Sequence, residues 1–275
     1  MKLVSFSAQH RITRPGALLA DGSVADLSSA GFPDALSVIT SGHIRCDNCP
    51  VLPAEQIRLH APLSNPPRVI AIGLNYRDHA KESGMAIPTT PVVFFKQTTA
   101  IIGPGEAIIL PKNSTEPDYE AEFAFVIGKG GYRIPASAWR DHVYGYTIVN
   151  DVSARDVQFA SSQWSMSKSF PTFCPLGPAI VNADEITDPH QLDISLTIDG
   201  ETLQSSNTRE LVFKIPDLIE YLSSITPLLP GDIVSTGTPP GVGLGRNPKR
   251  WLKPGETVTV TVQGLGSLTN PVAAE

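Results

Sequence analysis

Apolar residues in this chain fall mostly in short runs that end at glycine, proline or polar residues. This pattern is typical of β-strands, because a buried strand needs few consecutive apolar side chains before a turn. We predict strands at residues 69–73, 92–95, 108–109, 122–127, 144–150, 192–198, 232–235 and 257–262. Helical spacing is rarer and is clearest at 215–223, with shorter helices predicted at 76–83 and around 156–159.

Turn residues divide the chain into two predicted units. The first, residues 1–66, has a turn at Gly22 between two short apolar segments, and a short helix near 35–39. Prolines at 62, 66 and 67 close this small β-rich domain, and residues 67–275 form the second unit. Because 25 prolines and 22 glycines accompany few helical periods, the predicted fold class is mostly β, of the α+β type.

Composition removes several classes of partner. The net charge of −6 comes without blocks of like charge, so nothing favours nucleic acid or an anionic membrane. The first residues lack the sustained apolar core of a signal peptide, and the longest apolar runs are far shorter than a membrane span. We therefore expect a cytoplasmic protein that binds neither nucleic acid nor membrane.

Three cysteines are too few for a disulfide framework. Cys46 and Cys49 form a Cys-x-x-Cys, but a zinc site needs two further ligands, and His43 is the only obvious one nearby. A redox role would need a strand-helix setting that this neighbourhood lacks. We interpret the pair as incidental reduced thiols and Cys174 as a small core residue.

Two glutamates precede the apolar run at 123–127. In a strand, Glu120 and Glu122 project to the same side, about 6.6 Å apart along the strand, while Tyr119 and Phe123 face the other way. At an effective dielectric constant near 20, their repulsion is on the order of 2.5 kcal/mol. The pair therefore suggests a cation between the two carboxylates, and a hard divalent metal is the leading candidate.

A third carboxylate, Asp151, ends the strand predicted at 144–150. Taken alone it is more simply read as a turn or helix cap, with Ser153 as an alternative cap. Together with Glu120 and Glu122 it would complete a set of three oxygen donors, which favours magnesium, manganese or calcium over zinc or copper.

His79 and Glu82 lie three residues apart on a predicted helix and face the same way. Glu82 can accept a hydrogen bond from one imidazole nitrogen, leaving the other to take a proton from water; the simpler reading is a surface ion pair. Lys96 and Lys168 occupy apolar settings, where they could meet an anionic substrate or only extend to solvent. The glycine-rich segment at 235–243 suits close approach of a ligand but lacks the sequence of a phosphate loop.

From about residue 68 to 272 the chain resembles the fumarylacetoacetate hydrolase family. The resemblance rests on six ordered motifs: Gly73-Leu74-Asn75-Tyr76 leading to His79; Asp118-Tyr119-Glu120-Ala121-Glu122; Asn150-Asp151-Val152-Ser153-Ala154-Arg155-Asp156; Lys168-Ser169-Phe170 with Cys174-Pro175-Leu176-Gly177-Pro178; Ser206-Asn207-Thr208; and Thr236-Gly237-Thr238-Pro239. It implies a mixed β-roll catalytic domain, usually a homodimer, that holds Mg²⁺ or Mn²⁺.

The resemblance also assigns roles to individual residues. The metal ligands would be Glu120, Glu122 and Asp151, and His79 with Glu82 would activate water. The positions expected to contact substrate oxygens are Lys96, Arg155, Gln158, Lys168 and Thr238. The chain departs from the pattern at Leu74, where acylpyruvate-cleaving relatives often carry arginine, and at Met166 and Pro171. These departures leave the particular 2-oxo acid open.

The predicted function is a divalent-metal-dependent hydrolase that cleaves a carbon-carbon bond in an acylpyruvate-like 1,3-dicarbonyl compound through a metal-chelated enolate. His79 would deprotonate the attacking water, and Lys168 would stabilise the oxyanion. The alternatives are an oxaloacetate-type decarboxylase and a lyase or hydratase of a related keto or ureido acid. A non-catalytic small-molecule binder is disfavoured, since a decayed site should lose either a carboxylate or the dyad.

Overall fold

The computed structural model describes residues 1–8, 12–42 and 48–275. Its helices are short except for the last: α1 (Ala35–Ser41), α2 (Arg77–Ser83), α3 (Arg155–Gln158) and α4 (Ile215–Ile225). All four coincide with predicted helices to within a few residues at each end. Among the described residues, no helix has the length and apolar character needed to cross a membrane.

Strands make up most of the regular structure, as the short apolar runs predict. Their bounds are β1 (Lys2–Ser7), β2 (Arg14–Leu18), β3 (Val24–Asp26), β4 (Val51–Leu52), β5 (Arg58–His60), β6 (Val69–Gly73), β7 (Val92–Lys96), β8 (Ile101–Ile102), β9 (Ile108–Leu110), β10 (Pro117–Asp118), β11 (Ala121–Ile127), β12 (Val143–Asn150), β13 (Ser153–Ala154), β14 (Cys174–Asn182), β15 (Asp193–Ile198), β16 (Glu201–Asn207), β17 (Ile233–Ser235), β18 (Thr257–Val262) and β19 (Gly266–Ala274).

Two large sheets organise these strands. Twelve of the described strands form one sheet with the order β4-β3-β2-β1-β14-β12-β11-β17-β6-β7, with β5 paired to β1 and β8 to β14. The second sheet has the order β16-β15-β18-β19-β9. Most neighbours are antiparallel, but β17 runs parallel to β6, so the large sheet is mixed. The fold is mostly β, and the predicted fold class is confirmed.

The main core lies between the two sheets. Phe123, Phe125 and Tyr146 from the large sheet and Leu196 and Val260 from the second sheet belong to one buried cluster. The apolar face of α4 joins this cluster through Leu218 and Leu222. Burial of β11 on both faces explains why its sequence is almost continuously apolar.

The large sheet continues across the predicted domain boundary at residue 66. Strand β1 pairs antiparallel with β14, with Leu3 opposite Ile180. A second buried cluster contains Leu3 and Val38 from the first unit together with Leu176 and Ile233 from the second. The two-domain division stays a prediction, and the structure adds that both parts share a sheet and a core.

Strand β14 is, with β19, one of the two longest strands that the apolar pattern does not indicate. It contains Pro175 and Pro178, which lack the N–H that a central strand needs. Pro178 lies where the register between β14 and β12 is irregular, between Tyr146 and Ile148, and Pro175 lies opposite Ile102 of the short strand β8. Strands β1, β16 and β19 were also not predicted.

The cysteine prediction is partly wrong. Cys49 is disulfide-bonded rather than a reduced thiol. Cys46 and His43 lie outside the described residues. Cys174 is a free, buried residue of the core, as expected, and burial raises the pKa of its thiol to about 12.

Candidate metal centre and its cavity

The strand pairing brings the three predicted carboxylates together. Glu120 directly precedes β11, Glu122 is its second residue, and Asp151 directly follows β12. In the β11–β12 pair, Ala121 lies opposite Asn150, so the acidic ends of the two strands meet. One oxygen from each of Glu120, Glu122 and Asp151 lies within 4.8 Å of the others, and all three residues are buried. These acidic residues could therefore hold a metal ion.

Buried cations already neutralise part of this charge. Lys168 Nζ donates to Glu120 Oε2 at 2.6 Å and to Asp151 Oδ2 at 2.9 Å. Arg155 Nη2 donates to Glu120 Oε1 at 2.5 Å, and Lys96 Nζ donates to Asp151 Oδ1 at 2.5 Å. Although burial alone would raise it, the pKa of Glu120 is lowered to about 2 by Arg155 and Lys168. Glu120 is thus an anion at every physiological pH.

Of the three carboxylates, Glu122 has its negative charge compensated least by neighbouring groups. Its Oε2 accepts hydrogen bonds from Ser235 Oγ at 2.5 Å and from the Gly237 backbone N–H at 3.0 Å. Burial, and then the charges of Asp151 and Glu120, raise the pKa of Glu122 well above its usual value. A cation at the three carboxylates would remove that penalty.

The net charge of the whole buried cluster also favours a bound cation. Asp118, with the three predicted ligands, makes four buried carboxylates, and Lys96, Arg155 and Lys168 make three buried cations. With all seven groups ionised, the cluster carries one excess negative charge. Because its donors are carboxylate oxygens, the residues present fit a hard divalent cation.

His79 and Glu82 face this centre from α2. His79 Nδ1 lies 3.2 Å from Glu82 Oε2. An ionised carboxylate only accepts hydrogen bonds, so this contact favours the tautomer with the proton on Nδ1 and the basic lone pair on Nε2. The backbone N–H of Gly241 donates to both carboxylate oxygens of Glu82, at 3.0 and 3.2 Å. The Glu82 carboxylate is therefore held by the backbone as well as by His79, unlike the carboxylate of a simple surface ion pair.

One cavity of about 410 Å³ joins the acidic centre to the dyad. Glu120, Glu122, His79 and Glu82 all line it. Its apolar wall is formed by Ile72, Leu74, Met85, Phe94, Phe159, Trp164, Val242 and Leu244. The arrangement places a basic nitrogen and a candidate metal centre in the same partly apolar space, where charge interactions are stronger than in water.

The predicted substrate contacts divide into two groups. Arg155, Gln158, Lys168 and Thr238 line the cavity. Lys96 is not among the described residues that line it; its ammonium donates to Asp151 and to the backbone oxygens of Val152 and Lys168. Lys96 therefore binds the acidic centre from outside the cavity.

Asp118 is the residue whose role sequence reasoning missed. It is fully buried, its Oδ2 accepts from Arg155 Nε at 2.8 Å, and its Oδ1 accepts from the Gly243 N–H at 2.7 Å. A third acid beside Glu120 and Glu122 was a visible signal, but its partners lie up to 126 residues away in sequence.

Comparison with known proteins decides the family. The protein-family model named fumarylacetoacetate (FAA) hydrolase C-terminal matches residues 68–273. The chain belongs to the fumarylacetoacetate hydrolase family. The predicted resemblance is thereby confirmed, and the matched residues contain every predicted site residue.

Individual members of the fumarylacetoacetate hydrolase family carry different activities in their names. The mitochondrial oxaloacetate tautomerase Fahd2a of Rattus norvegicus is 48% identical over 224 residues, which is 81% of this chain and 72% of that protein. The fumarylacetoacetate hydrolase structure from Exiguobacterium antarcticum matches with a TM-score of 0.90 and 35% identity, covering 100% of both chains. A 5-carboxymethyl-2-hydroxymuconate delta-isomerase from Mycobacterium smegmatis matches with a TM-score of 0.85 and 34% identity, again over 100% of both chains.

Proposed function

We propose that this protein is a divalent-metal-dependent hydrolase of carbon-carbon bonds in acylpyruvate-like 2-oxo acids, which carry two carbonyl groups in a 1,3 relation. The observation that supports this most strongly is the shared cavity. An acidic centre that fits a hard cation and a histidine with a built-in carboxylate partner face the same space. Such substrates need a base to activate the attacking water. They also need a cation, because their carbon-carbon bond breaks only if the electrons left on carbon are delocalised onto oxygen.

Glu120, Glu122 and Asp151 would hold Mg²⁺ or Mn²⁺. The bound ion would supply positive charge that stabilises the negative charge developing on the substrate oxygens. A divalent ion would also change the excess charge of the buried cluster from −1 to +1, since four carboxylates face three cations there. A substrate that carries a carboxylate is therefore favoured.

The remaining steps use side chains of the chain itself. His79, held in one tautomer by Glu82, takes a proton from water at Nε2, and that water adds to the carbonyl carbon distant from the carboxylate. When the carbon-carbon bond breaks, the proton on His79 is available for the carbon that leaves. Lys168 lines the cavity and donates to Glu120 and Asp151, so its third N–H is the one that would donate to the developing oxyanion.

A second candidate is keto-enol tautomerisation of an oxaloacetate-like acid. It is favoured by the 48% identity to a protein named as an oxaloacetate tautomerase. The reaction needs the same ion but no addition of water, and His79 would move a proton between the enol oxygen and the neighbouring carbon of the substrate. The two candidates therefore share the site and differ in whether water adds to the substrate and a carbon-carbon bond breaks.

A substrate panel tests both candidates. Metal-free protein would be assayed with acylpyruvates of increasing length and with oxaloacetate, with Mg²⁺ or Mn²⁺ added, and proton NMR would monitor the products. Hydrolysis releases pyruvate and a carboxylic acid, tautomerisation changes only the keto-enol ratio, and decarboxylation releases carbon dioxide. Activity that survives removal of all divalent ions would contradict both candidates.

Replacement of His79 by alanine separates catalysis from metal binding. We expect His79→Ala to lower kcat by about 10²- to 10⁴-fold, the usual contribution of a general base. Metal affinity, measured by calorimetry, should stay unchanged. His142→Ala is the matched control, because His142 binds the backbone oxygen of Lys129 outside the cavity. If metal affinity falls in parallel with activity in His79→Ala, then His79 is a ligand or a structural residue.

A further inference from the structure

We propose that Arg246 is a positioning residue for the His79–Glu82 dyad and that it acts through the backbone of Gly241. The inference rests on the proposed function of the dyad. It concerns residues 239–246, named here the Gly241 loop, which follow β17 and contact Glu82 of α2. Neither the sequence motifs nor the predicted site residues include Arg246.

The Gly241 loop holds Glu82 with backbone groups. The Gly241 N–H donates to Glu82 Oε1 at 3.0 Å and to Oε2 at 3.2 Å. A Cβ at Gly245 would lie 3.2 Å from Glu82 Oε2, so the far end of the loop is also close to the carboxylate. Because Glu82 in turn fixes the tautomer of His79, the conformation of this loop determines where the basic nitrogen points.

Arg246 fixes that conformation. Its Nε donates to the carbonyl oxygen of Gly241 at 3.1 Å, and its Nη2 donates to the carbonyl oxygen of Leu203 at 2.6 Å. Tyr119 Oη donates to the same Gly241 oxygen at 3.2 Å. The guanidinium thus joins the loop to β16, which is part of the second sheet. Its planar fork reaches both carbonyls at once, which a lysine ammonium on a flexible stem reproduces poorly.

Glycine is required at position 241 for the same reason. Its φ of +99° lies in the left-handed region, and a Cβ there would lie 2.1 Å from the Leu203 oxygen. The Leu203 oxygen, which leaves no room for a side chain at Gly241, is therefore also an acceptor for Arg246. Leu203 and Arg246 thus fix the backbone of the Gly241 loop, and the Gly241 N–H of that loop binds Glu82.

The same loop is attached to the acidic centre. Asp118 accepts hydrogen bonds from the N–H groups of Gly243 at 2.7 Å and Leu244 at 3.0 Å. Asp118 also accepts from Arg155, whose other nitrogen binds Glu120. One end of the loop is thus linked to the predicted metal ligands, while Gly241 holds the dyad. The loop sets the distance between base and centre.

A double-mutant cycle distinguishes positioning from a general structural role. The variants are Arg246→Ala, Arg246→Lys, Glu82→Gln and the combination of Arg246→Ala with Glu82→Gln, all in the full chain. Arg250→Ala is the matched control, because its guanidinium binds Glu256 and the Trp251 backbone oxygen and, among the described residues, donates no hydrogen bond to Gly241. Turnover, metal affinity by calorimetry and thermal stability would be measured for each. Nitrogen NMR of the His79 imidazole would report its tautomer without any substrate.

If Arg246 acts through Glu82, Arg246→Ala lowers kcat by about 10- to 100-fold, as misplacement of a catalytic group does. Metal affinity stays unchanged, and Arg246→Lys recovers part of the loss. In the Glu82→Gln background, Arg246→Ala then has little further effect, because both changes remove the same interaction. The His79 tautomer preference is lost in Arg246→Ala and in Glu82→Gln but kept in Arg250→Ala.

Two results would overturn the proposal. One is a loss of turnover by Arg246→Ala that is equally large with and without Glu82. The other is an unchanged His79 tautomer in Arg246→Ala. If the wild-type protein turns over none of the substrates, the proposed function fails, and the NMR measurement still decides whether Arg246 positions the dyad.

Discussion

Glu122 differs from the other two predicted ligands in having no ion-pair partner among the described residues. Glu120 and Asp151 are each paired with buried cations, whereas Glu122 receives only a hydroxyl and a backbone N–H. Burial and the neighbouring acids accordingly raise its pKa. At the residue scale, the demand for a cation is therefore concentrated on this side chain.

Replacement of Glu122 by glutamine should separate ligation from folding. We expect metal affinity to fall by more than about 100-fold, which exceeds the effect of losing a residue that only supports a ligand. Activity falls with it, while the metal-free variant becomes more thermally stable than metal-free wild type at pH 8, since amide replaces a repelled carboxylate. Calorimetry and thermal unfolding measure both effects, with the exposed Glu201→Gln as control. Full turnover of Glu122→Gln in the presence of chelator would exclude a metal role for Glu122.

At the scale of elements, α4 shows how a local helix signal depends on a distant partner. Pro216 lies at its start, and its buried face contains Ile215, Leu218 and Leu222. The Ile215 N–H, one of the free donors at the helix start, donates to His190 Nε2 at 3.3 Å. Burial lowers the pKa of His190 from 6.5, although Asp188 opposes this shift.

This contact makes stability depend on pH. In the unfolded chain His190 takes a proton as the pH falls through 6.5, while in the folded protein its lowered pKa delays protonation. The unfolded state therefore binds more protons below pH 6.5, and the free energy of unfolding decreases there. We expect urea unfolding to show a smaller loss of stability between pH 7.5 and 5.5 in His190→Gln than in wild type. An unchanged loss in His190→Gln, or the same reduction in His142→Gln, would show that His190 is not responsible.

At the scale of the whole molecule, the first 66 residues complete the sheet that carries the candidate centre. Strand β1 covers one edge of β14, and Leu3 and Val38 pack with Leu176 and Ile233. Strand β14 in turn pairs with β12, which ends at the predicted ligand Asp151. Strand β14 alone thus separates β1 of the N-terminal unit from β12, the strand that leads to the candidate metal centre.

Deletion of residues 1–66 should therefore destabilise the remainder. The truncated chain would expose an edge of β14 and the apolar residues of the second cluster, so we expect a lower melting temperature and aggregation. Light scattering and thermal unfolding check this, and adding segment 1–66 in trans should restore part of the stability. A truncated chain that is as stable and monodisperse as the full protein would support two independent domains. The homodimer implied by family resemblance stays a prediction, which light scattering of the full chain also tests.

Much of the site and the strand content could be predicted because the signals are local. Strands β6 and β18 have the predicted bounds, since apolar runs and alternation reflect neighbouring residues. The alternation of side chains likewise placed Glu120 and Glu122 on one side, and their oxygens do converge. Strand β14 was missed because prolines argue against a central strand, and only the tertiary structure shows the irregular pairing with β12 at Pro178 and the pairing of Pro175 with β8.

The sequence by itself determined which residues carry charge and in what order, and hence the family, the acidic triad and the histidine-glutamate pair. Only the tertiary structure decided how that charge is balanced. Lys168 reaches Glu120 across 48 positions, and the Gly241 N–H reaches Glu82 across 159. No periodicity predicts such contacts, because they depend on how strands pair and loops close rather than on neighbouring residues.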